Sequence, residues 1–71
     1  MPQKDQPATK MYEVFWERDG RLVCRVYVDA ASELDAIAEA ESFLTDNPRL
    51  DRRAKASVHV RILPIRLQLA S

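Results

Sequence analysis

Every second residue from Tyr12 to Trp16 is apolar, and so is every second residue from Leu22 to Val28. A period of two puts such side chains on one face of an extended chain, so the pattern predicts two strands, residues 10–17 and 21–29. Between them lies Arg18-Asp19-Gly20. Asp-Gly between apolar runs is a strong hairpin signal, because glycine takes the positive φ that a tight turn requires. A two-residue loop pairs Glu17 with Leu22 and sets Val14 opposite Arg25, which mixes the faces. A three-residue loop pairs Glu17 with Arg21, Glu13 with Arg25, Phe15 with Val23, Trp16 with Leu22, Val14 with Cys24 and Tyr12 with Val26. Matched cross-strand pairs contribute about 0.2–1 kcal/mol each. The expected connection is therefore a type I turn with Gly20 as the left-handed residue of a bulge.

On that register the core face is Tyr12, Val14, Trp16, Leu22, Cys24, Val26 and Val28. The other face carries Glu13, Phe15, Glu17, Arg21, Val23, Arg25 and Tyr27. It is charged but interrupted by apolar and aromatic groups, and a binding surface is expected there.

The period then changes. Ser32 is suited to cap a helix, Asp35 three residues on completes a weak capping box, and Glu33 and Asp35 favour the positive end of the helix dipole. Good helix formers continue from Glu33 to Asp46, and Asn47-Pro48 stops them. Ile37, Ala40 and Leu44 share one stripe, flanked by Leu34, Ala36 and Phe43, while Asp35, Glu39 and Asp46 form an acidic outer face. Val28-x-Ala30-x-Ser32 ahead of this helix is ordinary strand-to-helix turn chemistry.

Residues 48–55 form a basic connector without apolar periodicity, and alternation returns over 56–69. Val58, Val60 and Ile62 face one way and Ser57, His59 and Arg61 the other; the phase slips at Leu63-Pro64 before Ile65, Leu67 and Leu69. Pro64 offers no N–H, so one long edge strand kinked at that point is expected. Two short strands would need a wider gap for a hairpin loop.

The element order is ββαβ. A right-handed crossover returns the third strand beside the first. The predicted fold is α+β: a three-stranded antiparallel sheet of order 2-1-3 with one helix covering the Val14 and Trp16 face. Residues 1–9, polar with two prolines, read as a disordered tail, and 10–71 as a single domain.

A chain of 71 residues buries a modest core, and its one cysteine rules out an internal disulfide. A partner subunit is a common remedy, and a homodimer is expected. Two contacts suit it: the open sheet face through Phe15, Val23 and Tyr27, or edge pairing through the long third strand. The second is preferred because residues 65–69 overrun their partner strand. No apolar run spans a bilayer or resembles a signal peptide, and a lone cysteine suits a reducing compartment, so a cytoplasmic location and no membrane partner are expected.

Net charge is zero, but it is unevenly spread. Residues 21–48 hold two basic and six acidic side chains, and residues 49–71 six basic and one acidic. The basic loop Arg49, Arg52, Arg53 and Lys55, with the sheet-face set Phe15, Arg21, Arg25, Tyr27, His59 and Arg61, could take unpaired bases by stacking and phosphate contact. Glu13 and Glu17 on that face repel phosphate, and the near-neutral isoelectric point does not favour it. The acidic helix face could meet a basic protein surface.

Enzyme chemistry lacks a constellation. Cys24 falls on the core face and behaves there as a small hydrophobe. His59 lacks the companion ligands a zinc site needs. Glu13 and Glu17 are spaced like an acid–base pair, but on the expected register each has an arginine opposite, and ordinary cross-strand pairing explains them. The residues thus point to a non-enzymatic interaction or regulatory module, homodimeric and without cofactor, with an unidentified protein partner. Single-stranded nucleic acid is the alternative ligand.

Overall fold

A computed structural model describes residues 8–64. The elements are β1 (Lys10–Arg18), β2 (Arg21–Ala30), α1 (Glu33–Asp46) and β3 (Ser57–Ile62). The strands form one antiparallel sheet in the order β2-β1-β3, with the helix packed on one face. The α+β class, strand order and single helix match the sequence expectation.

Helix α1 starts where its cap chemistry places it. Ser32 is extended (φ −152°, ψ 167°), and its Oγ accepts from the Asp35 N–H at 3.2 Å. At the other end the Asn47 N–H donates to the Leu44 carbonyl at 3.1 Å, and Asn47 Nδ2 donates to the Phe43 carbonyl at 2.7 Å. These bonds satisfy carbonyls that the helix end leaves without intrahelical donors.

The core joins Tyr12, Val14 and Trp16 of β1 to Cys24 and Ala30 of β2 and Ala36, Ala40 and Leu44 of α1. The two alanines let the helix backbone come close to the sheet, and Leu44 and Val14 fill the space between them. Leu44 is fully buried, which stabilises the fold by about 1.5–3 kcal/mol relative to exposure. The expected stripe is shifted: Ile37 is only partly buried, Phe43 is exposed, and Leu34 is 79% exposed.

The hairpin register differs from the expected one. The loop has two residues, Asp19 (φ 55°) and Gly20 (φ 76°), and Arg18 pairs with Arg21. Positive φ at both central residues is the type I′ geometry, whose twist matches that of the flanking strands. Glu17 lies opposite Leu22, but Trp16 lies opposite Cys24, so Val23 is the extra residue of a bulge. The bulge restores the faces that an unbulged two-residue loop would mix. Phe15 then opposes Arg25, Val14 opposes Val26, Glu13 opposes Tyr27 and Tyr12 opposes Val28. Leu22, expected in the core, is 50% exposed, while Val23, expected on the open face, packs against the core.

Strand β3 pairs with β1 so that Glu13 faces Arg61 and Phe15 faces His59. The Leu63 N–H donates to the Met11 carbonyl at 3.0 Å, one step beyond the strand. The expected continuation through 65–69 lies outside the described residues, as does most of the expected tail; Ala8 and Thr9 are exposed and irregular. The connector is a series of turns: the Leu50 N–H donates to the Asn47 carbonyl at 2.8 Å and the Ala56 N–H to that of Arg53 at 2.9 Å.

Candidate functional site

The sheet face opposite the helix is organised around Glu13. As the middle residue of the row Tyr27–Glu13–Arg61, it sits on the central strand and is only 4% exposed. Arg61 Nε donates to its Oε1, and Arg25 Nη1 lies 3.5 Å from Oε2. A buried carboxylate is costly unless paired and hydrogen-bonded, and two arginines from the flanking strands meet that need. The neighbouring row is aromatic: Phe15 and His59 stack with centroids 5.2 Å apart and planes 17° apart. Arg61 also lies over the Phe15 ring at 5.8 Å, and Arg25 over Tyr27 at 5.6 Å.

Of the candidate interaction residues Phe15, Arg21, Val23, Arg25, Tyr27, His59 and Arg61, the structure brings together Phe15, Arg25, Tyr27, His59 and Arg61. Arg21 sits apart at the hairpin end, opposite Arg18, and Val23 is turned to the core. The expected Glu17–Arg21 pair is replaced: Glu17 faces Leu22, and its Oε1 lies 3.5 Å from His59 Nε2. Residue types alone did not single out Glu13 as the hub, since that depends on the β1–β3 register. The signal available was its place on a strand expected to be central, with arginines on both flanking strands.

In the basic connector, charge is partly spent within the chain. Arg53 binds Asp51 through Nε to Oδ1 at 2.8 Å and Nη2 to Oδ2 at 2.7 Å, and the Arg53 N–H donates to Oδ1 at 3.0 Å. These bonds lower the Asp51 pKa from 3.8 to about 2, and the same carboxylate raises that of Arg53. Arg52 Nη1 donates to the Arg49 carbonyl at 3.0 Å. Lys55 occupies a left-handed conformation (φ 60°) at the turn before β3. Arg49, Arg52 and Lys55 are exposed. A cleft of about 510 Å³ is lined by Trp16, Glu41, Asp51, Arg53 and Ala54, with Arg53 already held by Asp51.

Cys24 is buried, and its Sγ–H donates to the Leu50 carbonyl at 3.6 Å, as suits a core thiol with a weak donor. Asp35, Glu39 and Asp46 are exposed along α1. Among the described residues there is no cluster of three or more potential metal ligands, and no helix is long and apolar enough to cross a membrane.

A third surface was not anticipated. A groove of about 460 Å³ runs between the outer edge of β2 and α1, lined by Arg25, Val26, Tyr27, Val28, Glu39 and Phe43. Its floor and one wall are apolar, and Tyr27 and Phe43 are both about half exposed. It adjoins a strand edge with no neighbouring strand among the described residues.

No protein-family model matches the chain, and comparison with curated proteins and with solved structures gives no significant similarity.

Proposed function

We propose that this chain is a non-enzymatic protein-interaction module that works as a homodimer, joined through an edge of its sheet. The observation that carries this reading is the outer edge of β2 beside the apolar groove of Val26, Val28 and Phe43. Strand edges are templates for another strand: main-chain hydrogen bonds supply affinity, and alternate side chains entering a groove supply specificity. A small core also supports it, because eight buried hydrophobic residues among those described, in a chain with a single cysteine, leave much to gain from a partner. The unpaired Cys24 fits a reducing compartment, so on this reading the protein is cytoplasmic.

The nucleic-acid reading draws less support from the geometry. Arg25 and Arg61 are engaged by Glu13, and Phe15 is occupied by His59 on one side and approached by Arg61. A stacking platform needs free ring faces and uncompensated cations.

Sedimentation equilibrium of the full chain over a concentration series, with an amide-shift titration using mixed single-stranded oligonucleotides, tests the proposal. A reversible dimer without oligonucleotide shifts supports it. A monomer throughout overturns it, and salt-sensitive shifts on Phe15, Tyr27, His59 and Arg61 would then assign the face to nucleic acid.

A further inference from the structure

The hydrogen bond from the Leu63 N–H to the Met11 carbonyl fixes the direction of every backbone group in the sheet. Backbone groups alternate sides along a strand. Odd residues of β1 therefore point their N–H and C=O to β3, and Tyr12, Val14 and Trp16 point theirs to β2. Their partners Val28, Val26 and Cys24 point back. The N–H and C=O groups of Arg25, Tyr27 and Asp29 are thus directed outward, along an edge with no neighbouring strand among the described residues.

We infer that a second copy of this chain pairs antiparallel with β2 across a two-fold axis at Tyr27, making one six-stranded sheet. The inference rests on the proposed self-association and specifies its seam. The axis sets Tyr27 opposite Tyr27 of the partner subunit, Arg25 opposite Asp29 of the partner subunit, and Val26 opposite Val28 of the partner subunit. By symmetry each unlike pair occurs twice. The outward backbone groups of 25, 27 and 29 then meet one another, as an antiparallel ladder requires.

Charge and the bulge select this register over those nearer the turn. Sliding the axis to Arg25 puts two arginines face to face. Moving it to Val26 sets Asp29 against Val23, at the bulge where the edge twists away. The Tyr27 axis keeps the paired stretch within residues 24–30, clear of the bulge. It also gives Asp29, exposed and without an ion pair among the described residues, a cation. On the groove side Val26 meets Val28 of the partner subunit and Val28 meets Val26 of the partner subunit, extending the apolar layer beside Phe43. The opposite edge is less suited: pairing β3 with itself about Val60 would set His59 against Arg61, and Pro64 follows with no N–H to add.

The test is sedimentation equilibrium on the full chain with three variants: Asp29→Arg, Arg25→Asp, and the double exchange. Each single change sets like charges together twice and is expected to raise the dimer Kd roughly tenfold or more, and the double exchange to restore it. Because Arg25 also touches Glu13, Asp29→Arg is the cleaner single variant. A Tyr27→Cys variant in a Cys24→Ala background supplies a geometric readout. Hydrogen-bonded antiparallel partners have Cα atoms about 5.5 Å apart, within disulfide range, so mild oxidation is expected to yield a covalent dimer. A wild-type monomer at every concentration overturns both the self-association and this seam. A dimer indifferent to Asp29→Arg that fails to cross-link at position 27 overturns the seam alone.

Discussion

Arg61 lies across the strand boundary from Glu13, its Nε bonded to a carboxylate that is almost wholly buried while Arg61 itself stays largely exposed. The two ends of this pair are therefore unequal. Removing the arginine leaves a buried charge that, among the described residues, Arg25 at 3.5 Å alone compensates. Replacing the carboxylate leaves two arginines that water can solvate. Hydrogen bonds to charged groups contribute about 1.5–3 kcal/mol. Arg61→Ala is expected near the upper part of that range, and Glu13→Gln at about 1 kcal/mol, since the amide oxygen still accepts. Urea unfolding of both variants checks the order. A larger loss for Glu13→Gln would contradict the unequal cost assigned to the two partners.

Asp51 predicts a pH dependence. Held by the Arg53 guanidinium and N–H, it titrates at about 2 in the folded chain instead of 3.8. Between those values the unfolded chain binds more protons, so stability from this group rises with pH. It is fully present above about pH 5 and is lost as pH falls through 2. The stability difference between wild type and Asp51→Asn should be constant near neutrality and close progressively in acid. Denaturation midpoints at several pH values measure it, and a gap that persists unchanged at pH 2 would contradict the assignment.

The turn offers a test of backbone geometry. Beyond its immediate chain neighbours nothing lies within 4 Å of a Cβ added at Gly20, so a side chain there meets no tertiary obstacle. Gly20→Ala should still cost about 1 kcal/mol, because φ of 76° is unfavourable for any L-residue. Asp19 is also left-handed, at φ 55°. Asp19→Asn should be nearly neutral, and Asp19→Val clearly destabilising, since a β-branched residue resists positive φ. Thermal midpoints of the three variants give the ranking.

Two leucines of one helix separate burial from composition. Leu44→Ala removes a side chain that is 1% exposed and is expected to cost about 2–5 kcal/mol. Leu34→Ala alters a residue in the first turn that faces solvent, and should stay within about 0.5 kcal/mol. Equal losses would place the helix in a different rotation on the sheet.

Local chemistry was legible in the sequence. Period-two apolar positions, the Asp-Gly turn, the Ser32 cap and the Asn47-Pro48 stop are short-range signals, and they located the first two strands, the helix and the start of the third strand to within a residue or two, while β3 ends at Ile62, ahead of the expected kink. Strand order followed too, because crossover handedness leaves few ways to return a third strand. Hairpin register did not follow. Charge matching favoured a three-residue loop, whereas the chain uses a two-residue turn and restores its faces by inserting Val23 as a bulge. One bulge exchanges the roles of Leu22 and Val23 and moves Arg25 from Glu13 to Phe15 in the ladder, and neither residue type signals it.

The candidate surfaces divide along the same line. Sequence alone placed Glu13, Phe15, Arg25, Tyr27, His59 and Arg61 on one face, because side-chain alternation is a property of each strand taken singly, but the bulge turned Val23 to the core. Tertiary structure decided what they do to one another. The β1–β3 register seats Glu13 between two arginines and stacks His59 on Phe15, and the rotation of α1 about its axis turns Phe43 toward the edge of β2. Those relationships join residues up to 48 positions apart. They arise from register and packing, which are settled only when the whole sheet and its helix come together.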